Sequence, residues 1–150
     1  MSVIRPSSAW GRAQIEAFLG ECVIPVRLAV LNSESLPLVC SLWYLYDEGC
    51  LWCATQRTAS VVKLLAREPF CGFEIAPDSM PYRGVRGQGR VVLDEATGSL
   101  MLTRLIDRYL GTRESGFAQW LMARSNAEVA IRVEPEWMTS WDFSQRMNNA

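Results

Sequence analysis

Leu36-Pro-Leu-Val-Cys-Ser-Leu-Trp-Tyr-Leu-Tyr46 is followed by Asp47-Glu-Gly49 and then by Cys50-Leu-Trp-Cys-Ala-Thr55, and this succession sets the architecture that we predict. The first segment is mostly apolar and has a proline only near its start, where a missing ladder donor does no harm, so one long strand is predicted. Gly49 can take positive φ and close a hairpin. Cys50–Thr55 is then predicted to return as the antiparallel partner.

On either side of this hairpin the apolar periodicity predicts further elements. Strands are predicted at Val26–Leu31, Phe70–Ala76, Gly84–Leu93, Glu128–Val133 and Trp137–Phe143, and helices at Arg12–Leu19, from Val61 to Pro69, around Leu102–Tyr109 and at Phe117–Met122. We expect Thr58 or Ser60 to cap the helix that begins near Val61. Because the connections are short and the helices are too few to cover a parallel sheet on both faces, we predict a mainly β domain, an antiparallel barrel with peripheral helices.

Length and composition restrict the class of protein. The chain has 150 residues, the size of a single domain, and 49% of them are hydrophobic, enough to bury a core. The 15 basic residues balance the 16 acidic ones, which argues against a nucleic-acid partner. No segment approaches the ~20 apolar residues that cross a bilayer, and the start lacks the apolar core of a secretory signal. Five irregularly spaced cysteines indicate reduced thiols, so we expect one cytoplasmic domain, residues 1–150, without a membrane partner.

The chain contains no histidine. This removes the commonest metal ligand and the usual general base, and with them the serine–histidine and cysteine–histidine hydrolase mechanisms. Cys50 and Cys53 form a C-x-x-C string, but residues three apart on a strand point to opposite faces, so the two thiols should diverge. We therefore predict no metal site, and no side chain is an evident catalytic acid or base.

The junction between a predicted strand and a predicted helix is the most informative stretch for ligand binding. Helix amino termini offer free amides and the positive end of the helix dipole, which suit a phosphate. The hydroxyls and cations available there are those of Thr55, Thr58, Ser60, Arg57 and Lys63. Two interpretations stand equal on these residues alone, a phosphate site and an ordinary capped surface helix.

Two other patterns have both a structural and a functional interpretation. The glycines of Gly84-Val-Arg-Gly-Gln-Gly89 indicate a strand bent by bulges, or one whose backbone is approached closely by something flat, such as a ring cofactor. The aromatic strands around Trp43, Trp137 and Trp141 indicate core, subunit interface or a stacking wall for a planar ligand. Because these tryptophans lie near strand edges, we expect some of them to be buried in a symmetric dimer.

Several stretches, taken in order, resemble the pyridoxamine 5′-phosphate oxidase-related superfamily of flavin-binding split barrels. They are Arg27–Leu31, Pro37–Tyr44 with Asp47–Gly49 and Leu51–Thr55, Val61–Pro69 with Cys71–Ile75, Pro81–Gly89, and Thr139–Phe143. The resemblance covers residues 25–143, with the predicted amino-terminal helix before them. It implies a six-stranded antiparallel split barrel of the FMN-binding type.

The resemblance also implies a homodimer that binds flavin mononucleotide (FMN) in two clefts at its interface. Ser41, Leu42 and Trp43 would line the isoalloxazine ring through their backbone. Ala54 and Thr55 would lie on the neighbouring strand. Trp141 of the partner subunit would stand beside the ring.

The sequence departs from the oxidase branch at the phosphate, where the family has an Arg-Lys pair and this chain has Ser60 and Val61. Arg57 and Lys63 lie on the same turn and helix and are the substitutes available. Some relatives use a deazaflavin coenzyme and some bind haem, which the absence of histidine disfavours. We predict an FMN-dependent oxidoreductase acting on a small molecule; the alternatives are a deazaflavin-dependent reductase and a non-catalytic flavin-binding or empty-barrel protein.

Overall fold

Within residues 2–148, which the computed structural model describes, eight strands form one sheet and four α-helices pack around it. The strands are β1 (Val3–Ile4), β2 (Val26–Leu31), β3 (Pro37–Leu42), β4 (Leu45–Asp47), β5 (Cys50–Gln56), β6 (Phe70–Ile75), β7 (Arg83–Asp94) and β8 (Glu128–Asp142). The helices are α1 (Arg12–Glu21), α2 (Ser60–Arg67), α3 (Gly98–Leu110) and α4 (Gly116–Ala123), and a 3-10 turn spans Ser125–Ala127. The predicted mainly β class is confirmed, with six strands of six residues or more and the two short additions β1 and β4.

The strand order shows how the sheet curls into a split barrel. Its order is β3-β2-β6-β7-β8-β5-β4, and every neighbouring pair along this path is antiparallel, while β1 adds to β8 in parallel. The two edge strands, β3 and β4, are consecutive in the chain and are joined only by Trp43 and Tyr44. We call this two-residue connection the seam, because it is where the first and last strands of the sheet meet.

The core lies inside the curled sheet and under α1 and α2. Alternate residues of β2, such as Leu28 and Val30, face inward, as period-2 patterning requires. Ile15 and Leu19 of α1 are fully buried against this interior. On the outer face of the sheet, α3 packs Leu105 against β4, β5 and β8, which makes a second, smaller apolar cluster beside the seam.

One predicted strand is two strands in the structure. The segment predicted as a single strand from Leu36 to Tyr46 is interrupted at the seam, so β3 pairs with β2 and only β4 pairs with β5. The cause is Tyr44, whose fully buried hydroxyl shares its one proton between the carbonyl oxygens of Leu19 (2.8 Å) and Cys22 (2.7 Å) at the end of α1. This contact turns the backbone out of the strand path.

Two other local predictions are wrong in detail. Neither Thr58 nor Ser60 caps α2, because the extended N-cap residue is Ala59, without a side-chain hydrogen bond. The two predicted carboxy-terminal strands are one strand, β8, whose pairing with β7 shifts register between Gln88 and Gly89. Gln88 pairs with Trp137 and Gly89 with Pro135, so the extra residue is Glu136 and the irregularity lies on β8, opposite the glycine-rich strand on which a bulge was predicted. It absorbs the residues that looked like an interruption of β8.

Candidate functional site

A cleft of about 330 Å³ lies beside the seam, where β3 and β5 meet under α3 and α4. We call it the seam cleft. Its lining consists of Ser41, Leu42, Trp43, Ala54, Thr55, Gln56, Leu102, Phe117, Leu121, Arg124 and Glu128. The first five are the residues expected, by resemblance, to lie along a bound ring, so the structure brings those five together.

Trp43 forms the back wall of the seam cleft and is held from behind by α3. Its ring stacks on the ring of Tyr109 with 4.9 Å between centroids and 6° between planes, and it meets Phe117 edge-on at 6.1 Å. The Tyr109 hydroxyl accepts a hydrogen bond from the Tyr44 backbone N–H (3.0 Å) and donates one to the carbonyl of Ile24 (2.8 Å). Stacking and hydrogen bonding therefore fix the orientation of this wall.

Arg108 ties the same wall to the end of α1. Its guanidinium donates to the carbonyl oxygens of Gly20 (2.8 Å), Cys22 (3.0 Å) and Leu19 (3.1 Å), and it lies 5.0 Å from the centroid of the Tyr44 ring. A cation at a helix carboxy terminus satisfies carbonyls that the helix leaves free. Burial raises the pKa of Tyr44, so its hydroxyl stays protonated and continues to donate.

The front of the cleft is aromatic and open. Phe117 and Trp120 of α4 stack at 6.2 Å, and about half of each residue is exposed (51% and 54%). Arg124 lies 4.3 Å from the Trp120 ring, so a row of flat side chains leads from solvent to the wall. From the sequence, Phe117 is predicted only as part of a short helix, because nothing local shows that α4 folds back over β5.

The far end of the cleft is polar. Glu128 is only 6% exposed, and its carboxylate accepts a short hydrogen bond from the side-chain amide of Gln56, which also donates to the carbonyl of Arg124 (3.1 Å). Burial raises the pKa of Glu128, while the hydrogen bond from Gln56 and the charge of Arg124 lower it in part. Sequence reasoning missed this group, since Glu128 there is simply the first residue of an apolar strand.

Of the residues predicted for a phosphate, Thr55 lines the seam cleft, whereas Arg57, Thr58, Ser60 and Lys63 lie outside it, on the turn after β5 and the first turn of α2. Arg57 donates to the carbonyl of Asn126 (3.0 Å) and lies 3.7 Å from the carboxylate of Glu95. Ser60 and Lys63 are exposed. The junction is thus formed as predicted, but one of its two cations is already engaged.

Backbone groups at that junction remain available. The amides of Ser60 and Val61 have no hydrogen-bond partner among residues 2–148, as expected for the first turn of a helix. The side chain of Val61 is 8% exposed and belongs to the core, so the position that holds a cation in the oxidase branch points away from solvent here.

Trp141 is not part of the lining of its own chain's cleft. Its ring covers Gly84, where a Cβ would come within 2.7 Å of the ring, and the guanidinium of Arg86 lies 4.8 Å from its centroid. In the same way, a Cβ at Gly87 would come within 2.6 Å of the ring of Phe73. The flat groups that approach this glycine-rich strand are therefore side chains of the protein itself. The role of the partner's Trp141 beside a ring stays a prediction.

Cys53 is fully buried in the core, whereas Cys50 is half-buried and faces a separate, polar cleft, so the two thiols diverge across β5 as predicted. In the described part of the chain, no cluster of three or more cysteine, aspartate or glutamate side chains could hold a metal ion. None of the helices in that part is long and apolar enough to cross a membrane.

The seam cleft is suited to a planar ring with a polar edge. Trp43, Phe117 and Leu121 supply apolar surface, while Glu128, Gln56 and Arg124 supply polar groups at one end. Flavins and deazaflavins have this shape and polarity, so the residues present fit such a group.

No protein-family model matches the chain, and no curated protein matches it. Solved structures do match. The conserved hypothetical protein Rv2991 from Mycobacterium tuberculosis superposes with a TM-score of 0.78 at 21% identity, over 97% of this chain and 93% of that one. An F420 reductase gives 0.70 at 21% identity, over 83% and 94%. A provisionally named pyridoxamine 5′-phosphate oxidase from Listeria innocua gives 0.64 at 18% identity, over 85% and 95%.

These matches extend over most of each chain, whereas their identities are low, so they establish the architecture and leave the chemistry to be argued from the site. The chain has the split-barrel fold of these solved structures, which is the fold that the resemblance in its sequence predicted.

Proposed function

We propose that this protein binds a flavin-type cofactor in the seam cleft and acts with it as an oxidoreductase on a small molecule. One observation carries the proposal: the five residues matched to ring-lining strands, Ser41–Trp43 with Ala54 and Thr55, converge on one cleft of suitable shape. The F420 reductase that shares the fold supports it. The cofactor would supply hydride chemistry, and the chain would supply position and polarity.

The chain's own residues divide this work. The Trp43 wall is fixed by Tyr109 and would orient the ring. Leu102 and Leu121 would exclude water from one of its faces. The edge of the cleft near Phe117 is open and gives a substrate access to the ring.

FMN is the cofactor that we propose first. Its phosphate would meet the free amides of Ser60 and Val61 and the exposed Lys63, at the positive end of α2. A deazaflavin coenzyme is the second candidate, because the buried Val61 departs from the oxidase branch.

We also propose the homodimer and its cytoplasmic location. β3 is an edge strand, and its Leu38 and Val39 are 45% and 63% exposed, an apolar edge that a second copy would cover. All five cysteines are free thiols, which suits a reducing compartment. Light scattering at micromolar concentration should give twice the chain mass; a monomeric mass would contradict the dimer.

An absorption and fluorescence spectrum of the untreated purified protein tests the cofactor. A flavin or deazaflavin spectrum, followed by cycles of reduction and reoxidation, supports the oxidoreductase. A bound chromophore that does not cycle supports the non-catalytic carrier. A colourless protein that takes up neither riboflavin nor its deaza analogue would contradict the proposal and leave the empty barrel.

A further inference from the structure

Glu128 presents a buried carboxyl to the seam cleft with a hydrogen-bonding position to spare. The residue is 6% exposed and lines the cleft. Its Oε2 accepts the hydrogen bond from Gln56, and no other side-chain hydrogen bond reaches this carboxyl within residues 2–148. The other carboxyl oxygen is not among the fully buried, unpaired polar atoms of residues 2–148, so it is open to the cleft, where a ligand can reach it.

The surrounding backbone holds this carboxyl in place. Glu128 pairs in register with Gln56 across β5 and β8, so both side chains lie on one face of the sheet. The first residue of α3, Gly98, packs so closely on Glu128 that a Cβ there would collide with the Glu128 carbonyl oxygen. The backbone from which the Glu128 side chain extends is therefore held in place, and packing within the protein sets the direction of the side chain.

Few charges face this group. Arg124, at the end of α4, is the cation whose field reaches it. From β5 it meets the neutral Gln56, from α3 the backbone at Gly98, and the adjoining turn Ser125–Ala127 carries no charged residue. Burial outweighs the attraction of Arg124 and raises the pKa of Glu128, so the carboxyl keeps its proton to a higher pH than an ordinary glutamate.

We propose that Glu128, as a neutral carboxylic acid, donates a hydrogen bond to an acceptor atom on the edge of the ring bound in the seam cleft. This rests on the proposed function, because the ring is taken to be of the flavin type. The carbonyl oxygens and unprotonated nitrogens of such a ring are acceptors, and only the protonated acid can donate to them. Ring binding is then linked to the protonation of one residue.

The linkage has a defined sign. The neutral form of Glu128 is the one that binds the ring. The affinity of the cleft for the ring is therefore highest below the pKa of Glu128 in the empty cleft, and it falls as the pH rises through that pKa. For the wild type we expect the Kd of riboflavin, which has no phosphate, to rise about tenfold as the pH rises through the pKa of Glu128. 5-Deazariboflavin should behave in the same way.

Glu128→Gln and Glu128→Ala separate the donor from the charge. The amide of Glu128→Gln donates at every pH, so its Kd should stay near the low-pH value of the wild type. Glu128→Ala should bind weakly at every pH. Glu136→Gln is the matched control, because Glu136 is exposed on the same strand and lies outside the seam cleft. It should keep the profile of the wild type.

The outcomes are distinguishable. If the wild type binds neither ring at any pH, the proposed function fails and takes this inference with it. If it binds a ring with a flat pH profile, or if Glu128→Gln keeps the slope, only the inference fails. Carbon-13 NMR of the glutamate carboxyls in the wild type provides a measurement that needs no variant. If all the glutamate carboxyl signals titrate in the ordinary pH range and none of them shifts when riboflavin is added, the inference is also wrong.

Discussion

The two ends of the candidate site are built differently. The ring wall at Trp43 is backed by Tyr109, which is itself hydrogen-bonded to the backbone of the seam. The anion end, with Ser60 and Lys63, consists of exposed side chains on the first turn of α2 and of amides left free by helix geometry. The wall is thus part of the folded core, whereas the anion end is attached to its surface. Substitutions at the two ends should therefore affect different quantities.

The largest effect is expected at the wall. Tyr109→Ala removes both the stacking partner of Trp43 and the hydroxyl that bonds the seam, so the free energy of unfolding should fall by about 3 kcal/mol. Tyr109→Phe keeps the ring and should lose about 1 kcal/mol. Urea denaturation measures both. A loss below about 1 kcal/mol for Tyr109→Ala would mean that the wall is not supported by the core.

The next effect concerns the anion end and leaves stability alone. Lys63→Ala should raise the Kd of FMN about tenfold, because a charge-assisted hydrogen bond is worth ~1.5–3 kcal/mol. The Kd of riboflavin should not change. Fluorescence titration of the two ligands gives the comparison.

Arg67→Ala is the matched control for Lys63→Ala, since it removes a cation from the last turn of the same helix. Arg57→Ala should weaken FMN less than Lys63→Ala and also lower stability, because Arg57 already bonds Asn126 and faces Glu95. Equal FMN affinity in wild type and Lys63→Ala would place the phosphate elsewhere.

A smaller effect, on the pH dependence of stability, is expected for Glu128 at the polar end of the seam cleft, because its carboxyl is buried and that of an ordinary surface acid is not. Because burial raises the pKa of Glu128 in the folded state, the folded protein holds that proton more tightly than the unfolded chain. The stability from this group is complete below the unfolded pKa, about 4.3, and declines as the pH rises through the folded pKa. Glu128→Gln should therefore lack this decline, and at pH 8 should exceed the wild type by no more than about 1 kcal/mol. If the difference in urea midpoint between the two proteins is the same at pH 5 and at pH 8, this prediction is wrong.

The smallest effect is expected for Ser60→Ala. Ser60 is exposed, and the N-cap of α2 is Ala59, so the free energy of unfolding should change by less than about 0.5 kcal/mol. FMN should bind a few-fold more weakly if the hydroxyl contacts the phosphate, since a neutral hydrogen bond is worth ~1 kcal/mol. A stability loss of more than about 1 kcal/mol would show that Ser60 stabilises the helix start after all.

Local patterns predicted most of the sheet but not its seam. β2 and β6 follow from apolar runs bounded by turn residues. The break at Tyr44 does not, because it depends on a hydrogen bond to Leu19, 25 residues away, which no periodicity in the strand reports. The glycines predicted a bulge on β7, whereas the extra residue is Glu136 of β8, and the joining of two predicted strands into β8 was not predicted.

At the candidate site, the residues along the Trp43 wall were predicted from the sequence, whereas those that α4 and the start of β8 add to the cleft were not. The lining from Ser41 to Trp43 came from the resemblance, which preserves the order of strands. Phe117 and Glu128 approach the cleft only because α3 and α4 fold back over β5, and that packing depends on tertiary contacts such as Gly98 against Glu128. A buried acid of this kind has no signature in its neighbours along the chain.

The seam has a consequence for the dynamics of the barrel. β3 and β4 are the farthest apart of all strands along the hydrogen-bonded path of the sheet, yet Trp43, which joins them, lines the cleft. A ligand seated there would contact β3, at one edge of the sheet, and β5, the strand next to the other edge. Its arrival should slow amide hydrogen exchange in β3 and β5 together, while β6, at the middle of the path, exchanges as slowly as before. A bound small molecule would in this way hold together the two ends of a sheet that its own backbone hydrogen bonds do not join.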